Sequence, residues 1–420
     1  MKSLVYWLYK NIFIQTVQVL LNQFSFVFSE KVQKIIQEKN LPLPNFKRNK
    51  NQELFWIHAA SGEFEYARPV IRELKKRMPN CQVLVTYSSI SVKKMIQKMT
   101  EVDFSCILPW EKDSSVQFFL NHFEPKSLFI ARTDAWPVLV DQCNQNKIPV
   151  YIFSATFADN SSRFKFPTKY LTKKTYEQMK HVFCVCLQDQ KNIIDLSQQI
   201  QASVAGDTRY DQVIDRIQNA QSMKKLKDES KLTLIAGSTW PEDEQILIPS
   251  LRKFIDNKQM QFIIVPHEVD EMHICELEIL FQKNHLQAIR FSQIQTDEIH
   301  SIIIIDRVGI LAETYLQGDI AFVGGSFKKQ VHSVMEPLAA GLPTIVGPYY
   351  LNNREAIEFS GTEVNHEIPI VKVINNETEL RAYLELFTRQ IKRNEIKHAI
   401  QKQMQKRTGA TKIFLDKVLS

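Results

Sequence analysis

From Leu54 onward, short apolar runs alternate with amphipathic stretches, and this rhythm leaves the chain few folds to choose from. LFWIHAA, QVLVTYS, SCILPW, SLFIA, PVYIFSA and HVFCVCL read as strands covered on both faces, because a strand with one wet face would alternate apolar and polar residues. The segments 64–77, 91–99, 114–122 and 136–146 between them read as helices. Strand and helix in alternation imply an α/β fold with a parallel, doubly wound sheet. The rhythm pauses after SVAGDTRYDQV, across polar residues that include Lys224, Lys225 and Lys227. It then restarts as LTLIAG, QFIIVP, AIRF, SIIIID, DIAFVGG and LPTIVG. At 420 residues the chain is sized for two cores of about 150–200 residues each. The expected division is a helix over residues 1–30, a Rossmann-like domain over 31–210, a linker over 211–230, and a second Rossmann-like domain over 231–420. One or two helices within 377–418 should close the second domain. Ligands of such sheets bind beyond the carboxyl ends of the strands.

With 44% apolar and 24% charged residues the chain has the make-up of an ordinary globular protein, which excludes extensive disorder. Its formal net charge of +7 favours anionic partners such as phospholipid head groups or phosphorylated substrates, although the same charge also serves plain solubility. The six cysteines are scattered, without a CxxC. They read as small core residues of a reduced protein, with no zinc site expected. The segment LVYWLYKNIFIQTVQVLLNQFSFVF has no charge between Lys10 and Glu30, but Asn11, Gln15, Gln18, Asn22 and Gln23 interrupt it. A bilayer-lying helix with inserted aromatics fits this pattern better than a spanning one. A helix packed on the protein body is the alternative.

Three constellations stand at strand ends. In HAASGEFEYARP (58–69), Ser61 and Gly62 form the turn after a strand and Glu63 opens the next helix. A carboxylate there can take a proton from an acceptor hydroxyl, while the same position also suits an ordinary first-turn acid favoured by the helix dipole. In IAGSTWPEDEQI (235–246), Ser238 or Thr239 is expected to cap a helix whose free N–H groups suit a phosphate. Glu242, Asp243 and Glu244 in its first turn argue instead for capping alone. In DIAFVGGSFKKQVHSVMEPLAAGLPTIVGPYYLNNREA (319–356), Gly324, Gly325 and Ser326 form a turn that lets backbone approach a nucleotide phosphate. A helix from about Val331 would set His332 and Glu336 on one face, with Glu336 placed for ribose hydroxyls. Neither GxGxxG nor GxxxxGK[ST] occurs here, so dinucleotide and P-loop fingerprints are missing.

HAASGE, TDAWP (133–137), GDTRYD (206–211), AGST (236–239), VPHE (265–268), FVGGS and HSVMEPLAAGLP follow one another in order, and GP…N…RE completes the series. Together they resemble the 3-deoxy-D-manno-octulosonic acid (Kdo) transferases of lipopolysaccharide synthesis, over roughly residues 1–410. The resemblance implies a GT-B fold, in which two Rossmann-like domains face a central cleft. It implies CMP-Kdo as donor, a lipid A precursor as acceptor, and the cytoplasmic face of the bacterial inner membrane as the place of work. It also implies Glu63 as catalytic base with Asp134 beside it, and Ser61, Gly62 and Arg68 on the acceptor side. Ser238, His267, Gly324, Gly325, Ser326, Glu336 and Asn352 map to donor contacts. No cofactor or metal is implied, and no DxD site is present. The chain departs from the family where Arg132 replaces a usual acid, where Asp134 replaces a longer Glu, in SATFADNSSRF (154–164), and at Ser333 and Asn353.

Two other functions fit part of this pattern. Another GT-B transferase with a different nucleotide sugar would use the same Gly-Gly-Ser turn and Glu336. A non-catalytic binder of membranes or nucleic acid would use the positive charge alone. Against the latter, Lys and Arg are spread along the chain with no aromatic-interleaved basic motif, so no nucleic-acid partner is expected.

Overall fold

The computed structural model describes residues 2–44, 46, 48–220, 223–295, 298–364, 368–387 and 390–420. The chain forms two compact units, one of residues 1–212 with 407–420, the other of residues 213–406.

The first unit is built on seven parallel strands: β1 (Leu54–His58), β2 (Gln82–Tyr87), β3 (Phe104–Ile107), β4 (Ser127–Ala131), β5 (Val150–Ala155), β6 (His181–Cys184) and β7 (Ala202–Val204). They lie in the order β3-β2-β1-β4-β5-β6-β7. Both faces of the sheet are covered, which is why its strands read as unbroken apolar runs. Along β1, Leu54 and Trp56 enter one core while Phe55 and Ile57 enter the other. The helix Phe64–Arg77 coincides with the expected 64–77. The expected 91–99 helix shrinks to Lys93–Gln97 behind a single tight turn.

The second unit contains β8 (Leu232–Thr239), β9 (Met260–Pro266), β10 (Ile289–Arg290), β11 (Ile302–Ile304), β12 (Ile320–Val323) and β13 (Thr344–Val346). A short antiparallel pair, β14 (Glu363–Val364) and β15 (Ile368–Pro369), precedes β16 (Val371–Val373). The main sheet is again parallel and runs β10-β11-β9-β8-β12-β13-β16. The strand order reverses between β1 and β4 in the first unit and between β8 and β12 in the second, where β11 is also inserted between β10 and β9. Such switch points are where doubly wound sheets place ligands.

The division differs from the expected one at both ends of the second unit. Residues 208–218 form one continuous helix, so the first part of the expected 211–230 linker is regular structure; residues 221 and 222 lie outside the described residues. Three helices, not one or two, fill the C-terminal stretch: Glu377–Leu386, Gln390–Gln405 and Ala410–Leu419. The last of these belongs to the first unit, not to a 231–420 domain. Phe414 is fully buried, 5.1 Å from each of the rings of Phe129, Phe153 and Phe183. Asp211 fixes the helix start by accepting from the N–H groups of Gly409 (2.6 Å) and Thr411 (2.8 Å). Nothing in the spacing of GATKIFLDKVL distinguishes a helix that closes the near core from one that closes the distant one.

The N-terminal stretch Lys2–Gln23 is helical, with a wide π turn at Tyr9–Phe13. Tyr6 docks it on the first unit: its hydroxyl donates to Asp141 at 2.9 Å and Lys174 Nζ lies 3.2 Å above its ring. Trp7, Ile12, Phe13, Val19 and Leu20 remain exposed. Among the described residues, no helix is long and apolar enough to cross a membrane.

Candidate active site

In the first unit, β1 ends at His58 and the chain turns through Ser61–Gly62–Glu63. Ser61 takes φ 35° to make that turn. Glu63 donates its backbone N–H to Ala60 O (2.8 Å). One carboxylate oxygen, Oε2, is buried without a hydrogen-bond partner. Burial first, then the charge of Asp134, push the carboxyl up to about 7, against the pull of Arg132 and Arg163. A base with that affinity for protons is half-ionised near neutral pH and accepts a proton far more readily than a surface glutamate.

Asp134 follows β4, the strand across the switch point from β1. Its carboxylate accepts from His58 Nε2 (2.9 Å) and from Ser88 Oγ (3.2 Å). Burial raises its carboxyl, but these hydrogen bonds and the His58 charge outweigh it and hold the group below its ordinary value. His58 is fully buried, and its Nδ1 lies 3.0 Å from Thr86 Oγ1. Trp56 Nε1 donates to that same oxygen at 2.8 Å. Trp56 thus donates to Thr86 Oγ1 and His58 Nε2–H to Asp134, while Nδ1 faces both Thr86 Oγ1 and the Thr86 carbonyl oxygen, the latter at 3.2 Å. The sequence motifs give no role to His58 or Thr86. Their signal was a histidine and a threonine inside apolar strands, where a polar group must find partners. Thr86→Val keeps the shape but leaves Trp56 Nε1 unpaired and His58 Nδ1 with only the Thr86 carbonyl oxygen, which should cost about 1–3 kcal/mol; calorimetry that finds wild-type stability would break the chain.

Arg132 sits at the end of β4 with φ 59°. Its guanidinium lies 5.2 Å from the Tyr66 ring centroid and donates to Thr156 Oγ1 (3.2 Å). Arg163 donates to Thr133 O at 3.2 Å. Neither guanidinium has a carboxylate within ion-pair distance among the described residues. Two guanidinium groups thus stand near Glu63 together with the Asp134 carboxylate. Of the residues expected on the acceptor side, Ser61 Oγ lies 3.4 Å from Ser91 Oγ and Gly62 is exposed with open space around it. Arg68 turns back to Glu65 at 3.1 Å.

In the second unit the expected residues meet at the β8/β12 switch point, with a different division of labour. The N-cap of the helix Pro241–Asp256 is Trp240, not Ser238 or Thr239. Asp243, from the first turn of that helix, accepts from the N–H groups of Trp240 (2.9 Å), Gly325 (2.7 Å) and Phe327 (3.0 Å). The backbone donors of the Gly-Gly-Ser turn are thus engaged by a carboxylate that burial pushes up to about 6, against those same three bonds. Gly324 is required by close approach: a Cβ there would lie 2.2 Å from Ser238 O. Ser238 itself takes φ 55°. Ser326 is fully buried and donates to Val323 O (2.9 Å).

The helix expected from Val331 begins at Met335, so His332 and Glu336 do not share a helical face. His332 stacks on exposed His267 (centroids 4.3 Å apart), which stacks on Trp240 (4.7 Å). Trp240 Nε1 donates to His332 Nε2 at 3.0 Å, so the proton of neutral His332 sits on Nδ1. Burial and then the neighbouring His267 push His332 down to about 4. Lys328 Nζ lies 3.4 Å over the Trp240 ring. Glu336 pairs with Arg216 at 2.6 Å. Asn352 closes a two-way bond with the backbone of Val331 (3.0 and 3.1 Å). Among the described residues no cluster of three or more His, Cys, Asp or Glu is placed to hold a metal ion. This end of the sheet therefore presents aromatic and imidazole faces with a free ammonium group, on a turn locked from behind.

Comparison with known proteins adds a lineage to this geometry. The family model described as 3-deoxy-D-manno-octulosonic-acid transferase (kdotransferase) matches residues 34–212. A 3-deoxy-D-manno-octulosonic acid transferase of Rickettsia bellii is 25% identical over 380 residues, covering 83% of this chain and 86% of that protein. A bifunctional glycosyltransferase/methyltransferase of Fusobacterium nucleatum is 23% identical over 354 residues, covering 79% of this chain. The match spans only about half, 54%, of that longer relative. Among solved structures, a glycosyltransferase from Rickettsia africae superposes with a TM-score of 0.52 at 12% identity, covering 87% of this chain and 97% of that one, a likeness of fold alone. With two parallel seven-stranded sheets, a candidate site at each switch point and these relatives, the chain is a glycosyltransferase of GT-B fold whose similarities support the Kdo transferase family.

Proposed function

We propose that the chain transfers Kdo from CMP-Kdo to a lipid A precursor with inversion at the anomeric carbon, at the cytoplasmic face of the bacterial inner membrane and with no metal cofactor. The observation that carries this reading is the Glu63 carboxylate: half-buried at a strand's carboxyl end, with one oxygen unpartnered and its proton affinity raised towards neutrality. In the reaction, Glu63 takes the proton of an acceptor hydroxyl. The oxygen bonds to the anomeric carbon as the bond from that carbon to the phosphate oxygen breaks, and CMP leaves with the electron pair. The transition state is oxocarbenium-like. Asp134, held by His58 and Ser88, keeps Glu63 basic without competing for the acceptor proton. Arg132 and Arg163 attract an anionic acceptor. Lys328 and His267 are the groups assigned to the donor's phosphate or carboxylate.

The direct test incubates the purified full chain with CMP-Kdo and a tetraacyl lipid A precursor. Release of CMP with a matching gain of mass on the lipid is expected; neither appearing would end the proposal. Thermal shifts with CMP, UDP and GDP separate this reading from a transferase of another nucleotide sugar, since a ligand at 100 times its Kd stabilises by about 2.7 kcal/mol.

Asp134→Asn gives a sharper check. Removing the neighbouring negative charge lowers the Glu63 pKa, so the acid limb of the pH–rate profile should move to lower pH. A limb that stays in place would detach Asp134 from Glu63.

A further inference from the structure

A cavity of about 760 Å³ opens in the first unit beside the catalytic strand ends. Its floor is Phe119, fully buried, and its walls include Leu43, Phe46, Ile107 and Trp110, with Phe118 63% exposed at the mouth. The volume falls within the range of about 300–1,000 Å³ typical of small-ligand sites. Of its charged residues, Glu38 is already engaged by Tyr87 Oη and Lys93 Nζ, both at 2.7 Å. Lys39 Nζ has no carboxylate within ion-pair distance among the described residues. It reaches Pro109 O at 3.4 Å and lies 5.0 Å over the Trp110 ring. An apolar slot with one uncompensated ammonium group at its rim matches an alkyl chain that ends in an anion.

Position makes the match specific. Tyr87 and Ile107, which line the slot, end β2 and β3, at the same edge of the sheet where β1 delivers Glu63. Adjacent strands lie about 4.8 Å apart, so the slot begins one strand from the Glu63 strand. On its other side, Trp110 Nε1 donates to Asn40 Oδ1 (2.9 Å) and Asn40 Nδ2 to Asn22 Oδ1 (3.0 Å). That chain of bonds ties the wall of the slot to the N-terminal helical stretch. There Phe24, Phe26 and Val27 leave a contiguous run of apolar surface exposed, of the kind that marks an interaction site.

We propose that this cavity is an acyl-chain slot: it takes one hydrocarbon chain of an anionic lipid, with the headgroup anion at Lys39. The proposal rests on the lipid-acceptor reading above and supplies what that reading lacks, a place for the acceptor's apolar part beside the base. It gives the enzyme a way to hold a lipid by its chain while a headgroup hydroxyl is presented to Glu63.

The test uses the full chain and n-alkyl phosphates of increasing length below their micelle-forming concentrations, with bromine at mid-chain to quench tryptophan fluorescence. Over about eight to fourteen carbons, affinity should tighten about fourfold per methylene until the slot is full, then level off. Quenching should fall in Trp110→Phe, leaving the part due to Trp56, which packs on Phe119 with ring centroids 4.7 Å apart. The double variant Ser105→Phe, Ser115→Phe should weaken binding at least about tenfold, which is less than the loss of two methylenes, with its CMP thermal shift unchanged. Lys39→Gln, a variant of a partly exposed residue, should abolish the preference for alkyl phosphate over the matching alcohol. Affinity independent of chain length overturns the slot. If Kdo transfer fails while alkyl phosphates bind in this graded way, the acceptor reading falls and the slot stands. If transfer proceeds and the double variant leaves KM for the lipid unchanged, the slot falls and the transferase reading stands.

Discussion

Glu63→Gln is expected to lower turnover by about 10²–10⁴-fold while leaving CMP binding intact, because glutamine keeps the shape of the side chain but cannot accept a proton. The same variant should gain stability, and only at the alkaline end. The folded state raises the Glu63 carboxyl to about 7, above the ordinary value of an unfolded chain. Between those two values the folded state therefore binds more protons than the unfolded one, and stability falls as pH rises through that window. Above pH 7 the full penalty of a buried carboxylate is present; below the unfolded value it is absent. Glutamine removes the penalty, so Glu63→Gln should melt above wild type at pH 8 and together with it at pH 4. For a unit of this size each 1 kcal/mol regained appears as about 2–4 °C. Loss of activity with gain of stability at pH 8 is the signature of a strained functional acid. An inactive variant with unchanged melting at every pH would remove the burial argument, and near-normal turnover would remove Glu63 from the role of base.

Asp243→Ala should produce the largest structural effect in the second unit. Three backbone N–H groups, those of Trp240, Gly325 and Phe327, converge on one carboxylate. Alanine strands all three in surroundings that are largely shut off from water. At about 1–3 kcal/mol for each stranded donor, the loss is on the order of several kcal/mol. Asp243→Asn is the more telling change, since it keeps the volume but turns an NH₂ group towards at least one N–H that needs an acceptor. Both variants should lose the thermal shift produced by CMP, because the turn that holds Lys328 against Trp240 is shaped by those bonds. A variant with asparagine that melts and binds CMP like wild type would show that the turn holds its shape without the carboxylate.

Much of this architecture was legible because it depends on periodicity. LFWIHAA and LTLIAG could hardly be anything but buried strands, and the turns after them had to lie at the ligand-binding edge of parallel sheets. Glu63 could be picked out for the same reason: it is the first acid after a strand-ending Ser-Gly. What escaped was information that lies in pairing across distance. Asp243 appeared as one of three acids in a helix start, and nothing local indicates that it serves the turn at Gly325, 82 residues later in the chain. His58 appeared as a polar residue within a strand, and its partners Thr86 and Asp134 come from two other strands. The helix placed from Val331 begins only at Met335, and His332 before it joins a ring stack with His267 and Trp240. Glu336 and Asn352 were expected at the donor, and in the structure Arg216 and the Val331 backbone engage them. The ordered motifs pointed to the family through residues whose individual duties only the packing assigns.

The return of the last helix to the first unit has a consequence for how the molecule is made. Phe414 plugs the space between Phe129, Phe153 and Phe183, so the earliest-synthesised half of the chain cannot seal its aromatic interior until the final residues have left the ribosome. Throughout translation of the intervening two hundred or so residues that greasy socket stays open. A chain lacking residues 407–420 would emerge with its first unit unfinished, although every strand of that unit had long since been made.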